Sequence, residues 1–306
     1  MLAVLTGGTG GAKLIQGLSL ETDPAELVVI CNTADDFVLH GLHISPDVDT
    51  ITYTLAGVAD TEKGWGIKGD TFASLEWIGK YGGETWFKLG DRDLATHITR
   101  TRMLEQGLTL TQATEKIRKA LGVSSALLPM SDDTVATRIR TPKGEISFQE
   151  YFVKESWSSE VRGVSYEGAE KSRPAPGVVE AIRKARAVIV CPSNPVTSIG
   201  PILAVPGVRT ALRETQARVV GVSPIIQGAA VSGPADKLMT AMGMEASSFG
   251  VAKAYADFLD TFVIAPEDSS QQSRIEALGV KTVATAIRMN SLDDKRRLAR
   301  EILALV

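Results

Sequence analysis

Leu2-Ala3-Val4-Leu5-Thr6-Gly7-Gly8-Thr9-Gly10-Gly11-Ala12-Lys13 opens the chain: an apolar run of strand length, then glycines at 7, 8, 10 and 11, then the start of a helical pattern. A run without polar alternation reads as a strand covered on both faces. Glycines at its end let backbone N–H groups approach a phosphate, and a following helix adds partial positive charge. The same grammar recurs. Leu27 to Cys31, Ala187 to Cys191, Val219 to Val222, Phe262 to Ala265 and Val280 to Ala284 are further short Val/Ile-rich runs. Pro176 to Arg186 reads as a helix with Pro176 near its start and Arg183, Lys184 and Arg186 in its last turn. Ser291 to Val306 carries Leu292, Leu298, Ile302 and Leu305 at helical spacing behind Asp293 and Asp294. Strands alternating with helices imply an α/β fold, a Rossmann-like doubly wound and mostly parallel sheet.

The middle of the chain departs from that pattern. Asp70 to Lys80, Asp93 to Glu105 and Thr109 to Leu121 read as successive helices, the last opened by the capping box Thr109/Gln112. Val135 to Arg140, the turn Pro142-Lys143-Gly144 and Glu145 to Tyr151 read as a hairpin. The expected organisation is a nucleotide- or diphosphate-binding core of residues 1–59 and 173–306, with an inserted α+β subdomain over 60–172 contributing to the acceptor site.

The chain has 306 residues, 44% of them hydrophobic and 23% charged, with a formal net charge of −3. That profile suits a globular protein and lacks the basic stripe of a nucleic-acid binder. Two cysteines, Cys31 and Cys191, show no zinc spacing and fit a reduced compartment. The opening residues lack a signal-peptide pattern, and no apolar stretch is long enough to span a bilayer, so a cytoplasmic location without membrane or nucleic-acid partners is expected.

Ligands of doubly wound sheets sit at the carboxyl ends of strands. Gly7 to Lys13 is not a Walker A loop, because Ala12-Lys13-Leu14 replaces Gly-Lys-Ser/Thr. It is a poor dinucleotide fingerprint too, since Lys13 stands where the third glycine belongs, which argues against an NAD oxidoreductase. A phosphate site is favoured over a bare βα turn, with Gly8, Thr9, Gly10, Gly11 and Lys13 as its candidate residues. Asn32-Thr33-Ala34-Asp35-Asp36 follows the second strand, and Ile44-Ser45-Pro46-Asp47-Val48-Asp49-Thr50 lies shortly after. Asp47 and Asp49 at a helix start could hold Mg²⁺ through hard oxygens, or Asp47 could be only an N-cap. Lys88-Leu89-Gly90-Asp91-Arg92-Asp93, with His97 and Arg100 beyond, could hold an anion or simply start a helix. Pro192-Ser193-Asn194-Pro195 makes a rigid polar loop suited to recognition, with Ser193 and Asn194 as nucleotide-binding candidates, and Ser223-Pro224 follows the next strand. No Ser-His-Asp order or His/Cys cluster points to a hydrolase or a zinc enzyme.

Taken in order, the glycine loop, the Asn32, Ile44 and Lys88 segments, Leu128-Pro129-Met130-Ser131-Asp132-Asp133, Pro192 to Pro195 and Val231-Ser232-Gly233-Pro234 resemble the 2-phospho-L-lactate transferases of coenzyme F-420 biosynthesis. The resemblance implies a homodimeric, Mg²⁺-dependent enzyme. It would move lactyl-phosphate from lactyl-2-diphospho-5′-guanosine to the terminal ribityl hydroxyl of FO (7,8-didemethyl-8-hydroxy-5-deazariboflavin), releasing GMP. The family's FO-contacting Asp and Lys fall on Asp49 and Lys88. On that basis Asp47 and Asp49 are the expected metal ligands and catalytic residues, with Asp49 orienting or deprotonating the hydroxyl, and Trp65 is a candidate for the deazaflavin slot. Relatives use lactyl, enolpyruvyl or glyceryl donors, and a related family of non-enzymatic regulators binds nucleotide-diphosphate sugars. The sequence leaves those alternatives open.

Overall fold

A computed structural model describes residues 1–306. The chain begins β1 (Leu2–Thr6), α1 (Gly8–Glu21), β2 (Leu27–Cys31), then a small hairpin of β3 (Phe37–Leu39) and β4 (Leu42–Ile44). Four helices follow, α2 (Pro46–Leu55), α3 (Ala73–Lys80), α4 (Asp91–Glu105) and α5 (Leu110–Ala120), before β5 (Ala126–Pro129). β6 (Ala136–Thr141), β7 (Gly144–Ser147) and β8 (Gly163–Glu167) form a separate antiparallel sheet. The second half runs α6 (Val178–Lys184), β9 (Ala187–Val190), α7 (Ile199–Ala204), α8 (Val208–Glu214) and β10 (Arg218–Val222). It continues through the hairpin β11 (Ile225–Ile226) and β12 (Ala229–Ala230), α9 (Ala235–Ala241), α10 (Ser248–Tyr255) and β13 (Thr261–Ile264). α11 (Gln272–Glu276), β14 (Lys281–Ala284) and α12 (Leu292–Leu303) close the chain.

Seven strands make the central sheet in the order β14-β13-β10-β9-β1-β2-β5, every pair parallel. Each strand feeds both faces. Leu2 and Val4 enter a core of 25 residues with Leu14 of α1 and Leu298 of α12, while Ala3 and Leu5 enter one of 38 with Ile182 of α6 and Leu212 of α8. Alternate residues buried on opposite sides produce the unbroken apolar runs that marked these strands. The chain reverses direction across the sheet between β1 and β9, which opens a crevice at their carboxyl ends.

Several details differ from the expected elements, among them the small hairpins β3–β4 and β11–β12. β5, inside the span assigned to the inserted subdomain, is the edge strand of the central sheet beside β2. At four residues, half-buried and ending on Pro129, it lacks the pattern of the central strands. The strand expected to reach Tyr151 stops at Ser147, and Glu150–Lys154 coils into a π-helical turn. β8 completes the small sheet against β6 without having been anticipated.

Candidate active site

At the reversal point the carboxyl ends of the strands enclose a cavity of about 680 Å³, a volume suited to a small-molecule ligand. Gly7 caps α1 without a side chain, no acidic residue occupies the helix's first turn, and Gly8 takes a left-handed φ of 67° that favours glycine. The first N–H groups of a helix have no partner within it. Gly8, Thr9, Gly10 and Lys13 line the cavity. Gly11 is buried behind it: a side chain there would overlap Thr6 Oγ1, so this glycine serves close packing of α1 on β1. Gly10 has a similar constraint, since a Cβ would stand 2.6 Å from the Pro192 carbonyl oxygen.

Ser193 and Asn194 line the same cavity, and both also build the loop after β9. Ser193 Oγ accepts the Gly7 N–H at 3.3 Å, tying that loop to the glycine turn. Asn194 Oδ1 accepts from the Val196 and Thr197 amides.

The carboxylates divide into two groups. Asn32 Nδ2 donates to Asp47 Oδ2 at 2.9 Å and to Asp35 Oδ2 at 3.1 Å, so one amide nitrogen sits between two buried acids. Asp35 Oδ1 has no hydrogen-bond partner. Burial pushes Asp47 up to about 6, against the lowering pull of the Asn32 amide and the Gly8 N–H. Burial and the neighbouring Asp47 raise Asp35 as well. Asp47 is not the helix cap, a position held by Ser45.

Asp49 lines the same cavity but is held by different partners. Arg100, fully buried on α4, grips both of its oxygens, with Nη1 at 3.1 Å from Oδ2 and Nη2 on Oδ1. Arg100 also donates to His97 Nδ1 at 3.3 Å, His97 Nε2 lies 3.3 Å from Asp93 Oδ1, and Tyr53 donates its hydroxyl to that oxygen at 2.7 Å. Asp49, Asp93 and His97 bring ligand atoms within 4.8 Å of one another. The guanidinium already neutralises Asp49, which makes a cation there unfavourable. Asp49 was expected beside Asp47 as a metal ligand; the partner carboxylate of Asp47 across the Asn32 amide is Asp35.

Lys88 lines the cavity and is exposed. Its segment is fixed by two helix starts that cap each other. Asp91 accepts from Thr71 Oγ1 and from the Ala73 and Ser74 amides, while Asp70 accepts from the Arg92 and Asp93 amides. Those bonds, led by Thr71, hold the Asp91 carboxyl well below the usual range. Among the charged residues of that segment, Lys88 and Asp93 line the cavity.

The sequence reading missed part of the wall. Arg288 and Asn290 follow β14 and line the cavity, a position the strand-end rule could have flagged. Phe148, Phe152 and Trp157 line it too; Phe148 fell within the strand expected over 145–151, and Phe152 and Trp157 lie just beyond it. Trp65 is present as well.

The profile of the family described as 2-phospho-L-lactate transferase CofD matches residues 2–302. The chain belongs to this family. It is 42% identical over 302 residues to the 2-phospho-L-lactate transferase of Methanosarcina mazei, covering 99% of each chain. It is 44% identical over 310 residues to a protein of Streptomyces griseus named phosphoenolpyruvate transferase, covering 99% of this chain and 98% of the other. A solved structure of a UPF0052 family member from Bacillus halodurans shares the fold, with a TM-score of 0.66 at 18% identity over 99% of this chain and 98% of that one. This transferase therefore carries its candidate site at the topological switch point of the shared fold. No helix is long and apolar enough to cross a membrane, and both cysteines are free and buried.

Proposed function

We propose that this transferase moves a phospholactyl group from lactyl-2-diphospho-5′-guanosine to the terminal ribityl hydroxyl of FO, releasing GMP. One observation carries the proposal: the glycine-rich start of α1, the Asp35/Asp47 pair, and Asp49 and Lys88, the two residues that the family resemblance assigns to the acceptor, all line one cavity. The hydroxyl oxygen of FO forms a bond to the phosphorus bearing the lactyl group. The phosphoanhydride bond breaks, its electron pair leaves on the GMP phosphate, and the hydroxyl proton is released. Phosphoryl transfer of this kind is driven by positioning and charge stabilisation.

The residues divide that work. Backbone N–H groups at Gly8 to Gly10, with Lys13 and Arg288, bind the diphosphate, and Lys88 binds the acceptor. Asp49 accepts a hydrogen bond from the acceptor and orients it. Taking up its proton would leave the buried Arg100 charge without a partner. Asp35 and Asp47 fit Mg²⁺, since two adjacent buried carboxylates, one with an orphaned oxygen, offer the hard donors that ion prefers. When bound, Mg²⁺ supplies positive charge to the diphosphate oxygens.

A second reading differs only in the donor. The 44% identity to a phosphoenolpyruvate transferase favours an enolpyruvyl conjugate as strongly as the archaeal relative favours the lactyl one. Incubating the protein with FO, Mg²⁺ and each guanylylated donor, followed by product mass and GMP release, separates the two. Absence of GMP release with either donor refutes the proposal. Lys88→Ala is expected to raise the KM for FO about tenfold while leaving the donor KM unchanged, as for one lost charged hydrogen bond.

A further inference from the structure

We infer that Phe148, Phe152 and Trp157 form the shelf on which the tricyclic ring of the acceptor lies, with Trp157 presenting the stacking face; this rests on the transferase reading above. Phe148 and Phe152 stack at 5.4 Å between centroids and 16° between planes, and Phe152 and Trp157 at 5.1 Å and 24°. The ladder starts on the buried Phe148 and ends on an indole that is 38% exposed and lines the cavity. A near-parallel stack that ends in a cavity on a partly bare ring accepts one more flat ring.

The backbone holds that indole in a conformation L residues avoid. Ser156 and Trp157 have φ of 48° and 45°, directly after the π-helical turn at Glu150–Lys154. The Trp157 N–H donates to the Tyr151 carbonyl at 2.8 Å, and Lys237 Nζ reaches the Trp157 carbonyl at 3.4 Å. Gly233 passes bare beside the stack, at a φ of 69° and with its Cβ position 3.5 Å from the Phe152 ring.

Chemistry and position favour the acceptor over the guanine base. Val153, Val231 and Pro234 line the same cavity, together with Gln149, Ser156 and Ser232 of the same two segments. A three-ring system covers more of the Trp157 face and the adjoining apolar side chains than a two-ring purine does. The π-helical turn also adjoins the Lys88 segment: Lys154 lies 5.6 Å from the Trp86 ring centroid and 3.4 Å from Glu84 Oε1. Trp65 is less suited to the role. Lys63 Nζ lies 5.9 Å from its ring centroid and Phe72 meets it edge-on.

The test titrates FO, followed by its fluorescence, and separately GDP into wild type, W157L and W157F. Loss of the stacking face in W157L is expected to weaken FO binding about tenfold, the scale of one aromatic stack, with W157F losing less and GDP affinity unchanged in both. Unchanged GDP affinity reports that the fold is intact. Equal FO affinity in W157L and wild type overturns the shelf alone, as does a loss confined to GDP. Failure of the wild type to bind FO overturns the transferase reading, and the shelf with it.

Discussion

Arg100→Met tests whether the Asp49–Arg100 pair acts as one unit. Both residues are buried, and the guanidinium binds both carboxylate oxygens. The variant leaves Asp49 as an uncompensated buried charge, an effect on the order of 3–5 kcal/mol. The converse, Asp49→Asn, leaves Arg100 with the His43 carbonyl and His97 Nδ1 as remaining partners, at 3.4 and 3.3 Å. Each single substitution should therefore lower the urea midpoint markedly. The double variant should recover about 2–3 kcal/mol relative to the sum of the singles, because neither charge is then stranded. Stability and activity should part company here. Arg100→Lys keeps a charge but not the planar fork, so Asp49 loses its fixed orientation. With stability largely kept, kcat/KM for FO should fall on the order of 10²-fold. Additive losses in the urea cycle, or wild-type turnover in Arg100→Lys, would refute the coupling.

Gly10→Ala should be destabilised by about 1–3 kcal/mol in thermal or denaturant melts, since its Cβ meets the Pro192 carbonyl oxygen at 2.6 Å and backbone cannot step aside as a side chain can. Without metal, stability should decline as pH rises. Burial raises Asp47 from 3.8 to about 6 and raises Asp35, so protonation favours the folded state, and this contribution is fully present below pH 4 and lost as pH rises through 6. The scale for Asp47 is on the order of 3 kcal/mol. Mg²⁺ should accordingly raise Tm more at pH 7.5 than at pH 5, and Asp35→Asn should abolish the difference; an equal Mg²⁺ effect at both pH values would remove the metal from this pair.

The frame was legible because a parallel sheet buried on both faces writes itself as apolar runs, and β2 was expected at Leu27 to Cys31, where it lies. β14, at one edge, was still read from its apolar run, but β5 at the other edge carries a weaker signature. β5 has one neighbour and a half-exposed pattern, so it passed as part of an insertion. The glycine turn after β1 was legible as a cavity-lining loop, but the separate jobs of its glycines were not: Gly8 lines the cavity, whereas Gly11 is packed against Thr6. Which carboxylate faces which partner depends on contacts distant in sequence, such as Arg100 to Asp49 across 51 positions. Spacing alone paired Asp47 with Asp49. Two residues apart at a helix start, the two side chains point in different directions, one toward Asn32 and the other toward Arg100.

A net charge of −3 suggests a surface hostile to a diphosphate, yet net charge averages over distances that water screens. Within the cavity wall, Lys13, Lys63, Lys88 and Arg288 stand against Asp35, Asp47, Asp49 and Asp93. Arg100 cancels Asp49 from behind, and Asp93 is held by Tyr53 and His97. Asp35 and Asp47 share a single neutral amide, that of Asn32, beside the positive end of α1. There a divalent cation would reverse the sign of the local field without a change in any side chain. With the proposed Mg²⁺ held there, affinity for a phosphorylated substrate would depend on metal concentration, and the acidic pair that looks unfavourable in the bare chain would be what gives it that dependence.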